Sequence, residues 1–169
     1  ALSSRIVEAD HFVRSGKYVG WEPMHFLGTD FLGKTLGLVG AGRIGEQVAF
    51  YAKGLGLKIM YTDISQNEKL EKEYGAVYSQ NLDDVLKQAD FISLHVPLLP
   101  STKHLINKEK LSLMKPTSFL INTSRGPVVD ETALRDALKD KVIAGAGLDV
   151  FEFEPKLVEG LVDLPNIIL

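Results

Sequence analysis

Cysteine is absent from the 169 residues, which excludes disulfides and thiolate metal sites and accords with a reducing, cytoplasmic setting. Long hydrophobic runs are missing too: no apolar stretch approaches the roughly 20 residues of a membrane span. Arg5, Glu8 and Asp10 stand where a secretory signal would be apolar. Neither sign of charge dominates. Nineteen basic against 22 acidic residues leave a net charge of −3, without the basic excess that marks a nucleic-acid surface. There are no repeats, low-complexity tracts or Pro/Gly/Ser linkers. What is present is a 45% hydrophobic chain, long enough for one domain that buries roughly 70% of its unfolded surface and too short for two. The expectation is a soluble, cytoplasmic protein with no metal, no membrane partner and no nucleic-acid partner.

The residues richest in information are Lys34-Thr35-Leu36-Gly37-Leu38-Val39-Gly40-Ala41-Gly42-Arg43-Ile44-Gly45. An apolar strand runs into G-x-G-x-x-G, and that motif opens an amphipathic helix carrying Val48, Ala49, Tyr51, Ala52 and Leu55. Gly40 permits the tight turn, Gly42 lets backbone approach a pyrophosphate, and Gly45 lets helix pack closely on strand. The helix N-terminus offers free N–H groups and the positive end of its dipole. Asp63 closes the next apolar strand, where a carboxylate accepts both hydroxyls of an adenosine ribose and repels a 2′-phosphate. The pattern therefore points to NAD rather than NADP; the plainer reading is a strand-turn-helix whose glycines serve packing.

Along the chain, Leu2, Ile6, Ala9 and Val13 have helical spacing, followed by a loop bearing Trp21, Met24, Phe26, Leu27 and Phe31. Strands are predicted near 35–39, 57–62, 76–78, 90–95, 118–122, 143–147 and 167–169, with helices near 44–54, 66–74, 82–88, 108–112 and 130–139. Asn81, Asn107 and Asp130 are candidate N-caps for the last three. The alternation argues for an α/β, Rossmann-type doubly wound parallel sheet, whose ligands lie beyond the C-terminal strand ends. Residues 1–33 read as a linking helix and apolar arm, and 34–169 as the nucleotide-binding domain. The helical spacing begins without initiator Met or clear cap, and Pro165-Asn166-Ile167-Ile168-Leu169 reads as a strand with no turn after it. Both ends therefore read as cut from a longer protein.

Unusual residues gather after the later strands. The fourth runs Ser93-Leu94-His95-Val96-Pro97, the fifth runs into Thr123-Ser124-Arg125-Gly126, and the sixth delivers Asp149-Val150-Phe151-Glu152-Phe153-Glu154-Pro155. An arginine and several carboxylates at the edge where a cofactor would lie look like a reaction site. The bland alternative is an Arg125–Asp149 surface ion pair beside a solvated acidic loop.

Four ordered motifs, G-x-G-R-I-G, H-V-P-L-x-x-x-T, N-T-S-R-G-x-V-V-D-x-x-A-L and A-G-A-G-L-D-V-F-E-x-E-P, span nearly the whole chain. With them the chain resembles the cofactor-binding domain of the D-isomer-specific 2-hydroxyacid dehydrogenases, and within that family the glyoxylate and hydroxypyruvate reductases. The resemblance implies a unit inserted within a discontinuous substrate-binding domain. It implies that Gly40, Gly42, Arg43, Ile44 and Gly45 hold the pyrophosphate and Asp63 the ribose of NAD. Val96, Pro97 and Thr102 would flank the cofactor, Thr123 and Asp149 would lie near its nicotinamide end, and Ser124 would also bind the cofactor. Arg125 would be the catalytic arginine, contacting cofactor and substrate, and Glu154 the catalytic glutamate, with Glu152 as fallback.

The chemistry fits those residue types. Hydride addition to a 2-oxoacid carbonyl builds charge on oxygen, which an arginine answers with fixed geometry. A histidine then donates a proton, and a carboxylate holds its tautomer and raises its pKa. The family's catalytic histidine belongs to a Pro-His pair just after the strand that here is Asn166-Ile167-Ile168-Leu169, and that pair is not in this chain. His11, His25 and His104 read as structural or exposed, while His95 lies nearest the cofactor but out of motif order. A homodimer through the apolar arm is expected. The alternatives are a non-catalytic, NAD-sensing module like the corepressors that share this fold, or a family member acting on phosphoglycerate or phosphite.

Overall fold

In the computed structural model, which describes residues 1–169, the glycine-rich segment is the hinge of the whole architecture. Strand β1, Thr35–Val39, is buried along nearly its whole length, as expected of a strand covered on both faces. Leu36 and Leu38 point to one face and Val39 to the other. Gly37 faces the second layer, where an added Cβ would come within 2.7 Å of Val85 and 2.9 Å of Ala89, so the helix carrying those residues approaches the sheet closely. The chain then continues through α2 (Arg43–Gly54), β2 (Lys58–Thr62), α3 (Glu68–Tyr74), β3 (Val77–Tyr78), α4 (Leu82–Gln88) and β4 (Phe91–Leu94). It goes on through α5 (Lys108–Leu113), β5 (Phe119–Asn122), a 3-10 turn (Gly126–Val128), α6 (Glu131–Lys139), β6 (Gly145–Leu148) and β7 (Ile167–Ile168). Helix α1 (Ile6–Arg14) precedes the sheet.

All strand pairs are parallel, in the order β3-β2-β1-β4-β5-β6-β7. The winding direction reverses between β1 and β4, and in such sheets ligands bind in the crevice at that switch point. Helices α2 and α3 cover one face over a core containing Leu38, Tyr61 and Leu70; α4, α5 and α6 cover the other over Ile92, Leu120 and Leu134. Beyond α2 on the first face lies an apolar hollow of about 260 Å³ lined by Ala1–Ser3, Phe31, Phe91, Phe119, Ile121 and Ile168.

The expected elements are all present, with shifted ends. Asn81, Asn107 and Asp130 cap α4, α5 and α6 by accepting from the amides of Asp83, Lys110 and Ala133. Helix α3 starts two residues later than expected because Asn67 caps it, accepting from Lys69 and Leu70. Helix α1 starts at Ile6 because Arg5 takes a left-handed conformation, φ 52°, behind a turn closed by its N–H to Leu2. β6 lies slightly later than expected because Ile143 leaves the ladder to fill the core, and β4 ends at Leu94. The 3-10 turn after Arg125 was not expected.

Candidate functional site

The first part of the site is the turn from β1 into α2. Gly40 has φ 99°, a region open mainly to glycine, and an added Cβ would lie 2.7 Å from the His95 carbonyl oxygen and 3.1 Å from Val96. The ends of β1 and β4 thus meet at the switch point, bringing Gly40 beside Val96. A Cβ on Gly45 would collide with the Gly40 carbonyl oxygen, so helix and turn are in backbone contact. Around Gly42 there is open space, the cradle a pyrophosphate needs. Gly42 also N-caps α2 without any side chain satisfying the first amides, which leaves those donors for an anion. Arg43 and Ile44 are exposed beside them.

Asp63 stands at the other wall. Its Oδ2 accepts from the Ala41 N–H at 2.6 Å and its Oδ1 from the Ile64 N–H at 2.6 Å. These bonds aim the carboxylate along the glycine turn and leave lone pairs for two ribose hydroxyls. The residues thus fit a dinucleotide: an open anion cradle at a helix start and a fixed carboxylate beyond it.

Asn67, which the sequence reading passed over, holds this wall together. Its Nδ2 donates to the Ala41 carbonyl at 2.8 Å and to Glu46 at 3.2 Å, and its N–H donates to the Tyr61 hydroxyl at 2.7 Å. Tyr61 in turn donates to Glu71 at 2.8 Å, and burial pushes its hydroxyl up to about 12. The only sequence signal was an asparagine three residues before a buried leucine.

The second part lies after β4, β5 and β6. Pro97 is exposed, and the Thr102 hydroxyl donates to the Pro97 carbonyl at 2.6 Å and accepts from Leu99 at 2.8 Å, so it closes its own loop. His95 bonds Ser93 Oγ through Nε2 at 2.9 Å, and burial lowers its pKa from the ordinary histidine value. After β5, the buried Asn122 shapes the turn: its Oδ1 accepts from the amide and hydroxyl of Ser124, and its Nδ2 donates to the Arg125 carbonyl at 3.0 Å. Ser124 is therefore turned inward, whereas Thr123 and Arg125 are exposed.

The expected ion pair of the bland reading is absent. Arg125 donates to the Ser124 carbonyl at 2.6 Å and makes no salt bridge with Asp149. Gly126 presses so closely on the Phe151 carbonyl that a Cβ would overlap it, and this contact joins the Arg125 turn to the acidic loop. The loop is not simply solvated either. Glu152 is largely buried, bonded to His104 Nε2 at 2.6 Å and to the Glu131 N–H at 3.3 Å. His104 is thus a partner of the acidic loop, a role its position before α5 did not signal. Glu154 is exposed, with Oε1 accepting from the Phe151 N–H at 3.0 Å.

The family profile for the NAD-binding domain of D-isomer-specific 2-hydroxyacid dehydrogenases matches residues 1–169. The chain is 54% identical to the glyoxylate reductase of Thermococcus litoralis across its whole length, which is 52% of that protein. It superposes on a glyoxylate reductase from Paecilomyes thermophila with TM-score 0.88 at 37% identity, covering 99% of this chain and 50% of that one. The NAD-complexed D-isomer specific 2-hydroxyacid dehydrogenase of Lactobacillus delbrueckii ssp. bulgaricus gives TM-score 0.85 at 34% identity, covering 99% and 54%. The chain spans about half the length of the curated relatives it matches. Open cradle, backbone-fixed Asp63 carboxylate, switch-point topology and similarity agree: the chain belongs to the D-isomer-specific 2-hydroxyacid dehydrogenase family, as its NAD-binding domain.

Proposed function

We propose that this chain is the cofactor half of a cytoplasmic, homodimeric 2-hydroxyacid dehydrogenase that reduces a small 2-oxoacid of the glyoxylate or hydroxypyruvate type. NADH, when bound, supplies the hydride. The observation that carries the reading is the backbone contact between Gly126 and Phe151, which sets the exposed Arg125 and the exposed Glu154 on adjoining loops beyond β5 and β6. The two groups suit the two charges of the reaction. Arg125 binds the substrate carboxylate and draws on its carbonyl oxygen as negative charge grows there. Glu154 accepts the N–H of the proton-donating histidine, holding its orientation and keeping its proton in place. Glu152 is less suited to that role, because both of its oxygens are engaged. The Gly40–Gly45 turn, Arg43 and Ile44 hold the pyrophosphate, and Asp63 the ribose. Val96, Pro97 and Thr102 flank the cofactor, with the exposed Thr123 and Asp149 toward the nicotinamide.

The test uses the full-length protein with NADH and glyoxylate or hydroxypyruvate. Turnover is expected, Arg125→Ala should lose most of kcat/KM, and Glu154→Gln should move the pH profile downward. No turnover with any 2-oxoacid, or an Arg125→Ala variant as active as the parent, would overturn the reading. An unchanged pH profile in Glu154→Gln would move the carboxylate role to Glu152.

A further inference from the structure

One carboxylate in this molecule is buried where nothing in the reaction described above uses it. Glu131 is the first residue of α6, a position where an acidic side chain ordinarily reaches solvent and favours the helix dipole. Here it is only 1% exposed. Its Oε1 accepts from the Glu152 N–H, while its own N–H donates to Glu152 Oε2 at 3.3 Å. Its Oε2 is buried without a hydrogen-bond partner.

The peptide it grips is the one on which the site converges. The Phe151 carbonyl abuts Gly126, next to Arg125. The following N–H, that of Glu152, goes to Glu131, and the preceding N–H, that of Phe151, goes to Glu154. One short stretch of backbone thus links the arginine turn, the start of α6 and the exposed glutamate. We propose that Glu131 is a positioning residue, fixing the Phe151–Glu152 peptide and, through it, the direction in which Glu154 is presented beside the Arg125 turn. The inference rests on the assignment of Glu154 made above.

The unpartnered oxygen says in which form Glu131 does this. An ionised carboxylate whose buried oxygen lacks a well-made hydrogen bond is costly, whereas a protonated carboxyl is neutral and still accepts through its other oxygen. Burial raises the Glu131 carboxyl above its ordinary range, the backbone N–H groups of Glu152 and Val158 oppose this, and the charges of Glu152 and Glu154 add to the rise. The groups facing it are Glu152 and Glu154 on the loop and, behind Glu152, His104 from the segment before α5. A neutral Glu131 also avoids setting a third carboxylate charge against Glu152 and Glu154. Glutamine, an isosteric neutral amide, should therefore replace it, and alanine should not.

The experiment compares Glu131→Ala and Glu131→Gln in the full-length protein by amide hydrogen exchange of the segment spanning 149–158 and by pH-dependent kinetics. Glu131→Ala should speed exchange in that segment about tenfold or more while β4 and β5 stay protected. It should also cut kcat about tenfold or more, leave KM for NADH unchanged and move the pH profile. Glu131→Gln should restore exchange, kcat and profile together. Exchange in Glu131→Ala equal to wild type overturns the proposal, as does a glutamine variant no better than alanine. If the alanine variant does not fold, carboxyl titration by ¹³C NMR of the wild type decides: an elevated Glu131 pKa with the Glu152 amide shifting at the same pH supports the proposal, and titration in the ordinary range overturns it. If the wild type reduces no 2-oxoacid, the functional assignment fails, while exchange and titration still decide the Glu131 clamp.

Discussion

At Asp63, two short backbone hydrogen bonds turn an ordinary strand-end carboxylate into a fixed acceptor on the rim of an anion cradle. A 2′-phosphate at that point would meet like charge, and no lysine or arginine adjoins Asp63 in sequence to receive it. Calorimetric titration should show NADH bound at least about tenfold more tightly than NADPH, a difference of ~1.4 kcal/mol. Asp63→Ala should narrow that gap, and equal affinities in the parent protein would refute the role. Glycine has two different uses at this scale. Gly40 answers a positive φ, whereas Gly126 answers the approach of another backbone.

At the scale of elements, the loops that build the site are held by side chains that touch no cofactor. Asn67 caps α3 and simultaneously bonds the Ala41 carbonyl in the glycine turn. Asn67→Ala should destabilise the protein by about 1 kcal/mol through the lost cap. It should also weaken NADH binding several-fold; a loss of stability with NADH affinity unchanged would confine Asn67 to capping. Asp90 ties the entry of β1 to β4, accepting from Thr35 N–H at 2.9 Å and pairing with Lys115 at 2.9 Å. Burial pushes its carboxyl up, but the Thr35 amide and Lys115 outweigh burial and hold it below its ordinary value. The unfolded chain therefore binds this proton more readily than the folded one. The stabilisation from Asp90 is present above its unfolded pKa and lost as pH falls through that value toward the lower, folded one. Acid-melting curves of Asp90→Asn should lack this component, and a curve superimposing on wild type between pH 5 and pH 3 would exclude it.

At the scale of the whole molecule, apolar surface is distributed unevenly. Trp21 and Met24 are 84% and 73% exposed, and Leu27 stands out with them on the arm after α1. Phe26 of this arm instead packs on Phe12 and His25, so the exposed apolar groups Trp21, Met24 and Leu27 carry the expected contact. Light scattering of the full-length protein at micromolar concentration should give a dimer mass, and Trp21→Glu with Met24→Glu should shift it toward monomer; a parent already monomeric would count against the arm. No helix is long and apolar enough to cross a membrane.

Much of this protein was legible in its residues because the relevant physics is local. Apolar strand runs, helical spacing, Asx caps before helices and a glycine triplet between strand and helix are sequence-near constraints, and they pointed to the parallel α/β architecture and to the candidate cradle with Asp63 beside it. What only the tertiary structure decided depends on residues far apart in the chain. Glu131 occupies a first-turn position where an acid is ordinarily exposed, and its burial arises because the loop after β6 folds over the start of α6. His104 and Glu152 are 48 residues apart and meet only once α5, α6 and β6 are packed. The Arg125 turn is of mixed origin: Asn122 shapes it locally through its side chain, while its close contact with the Phe151 carbonyl at Gly126 comes from residues far apart in the chain.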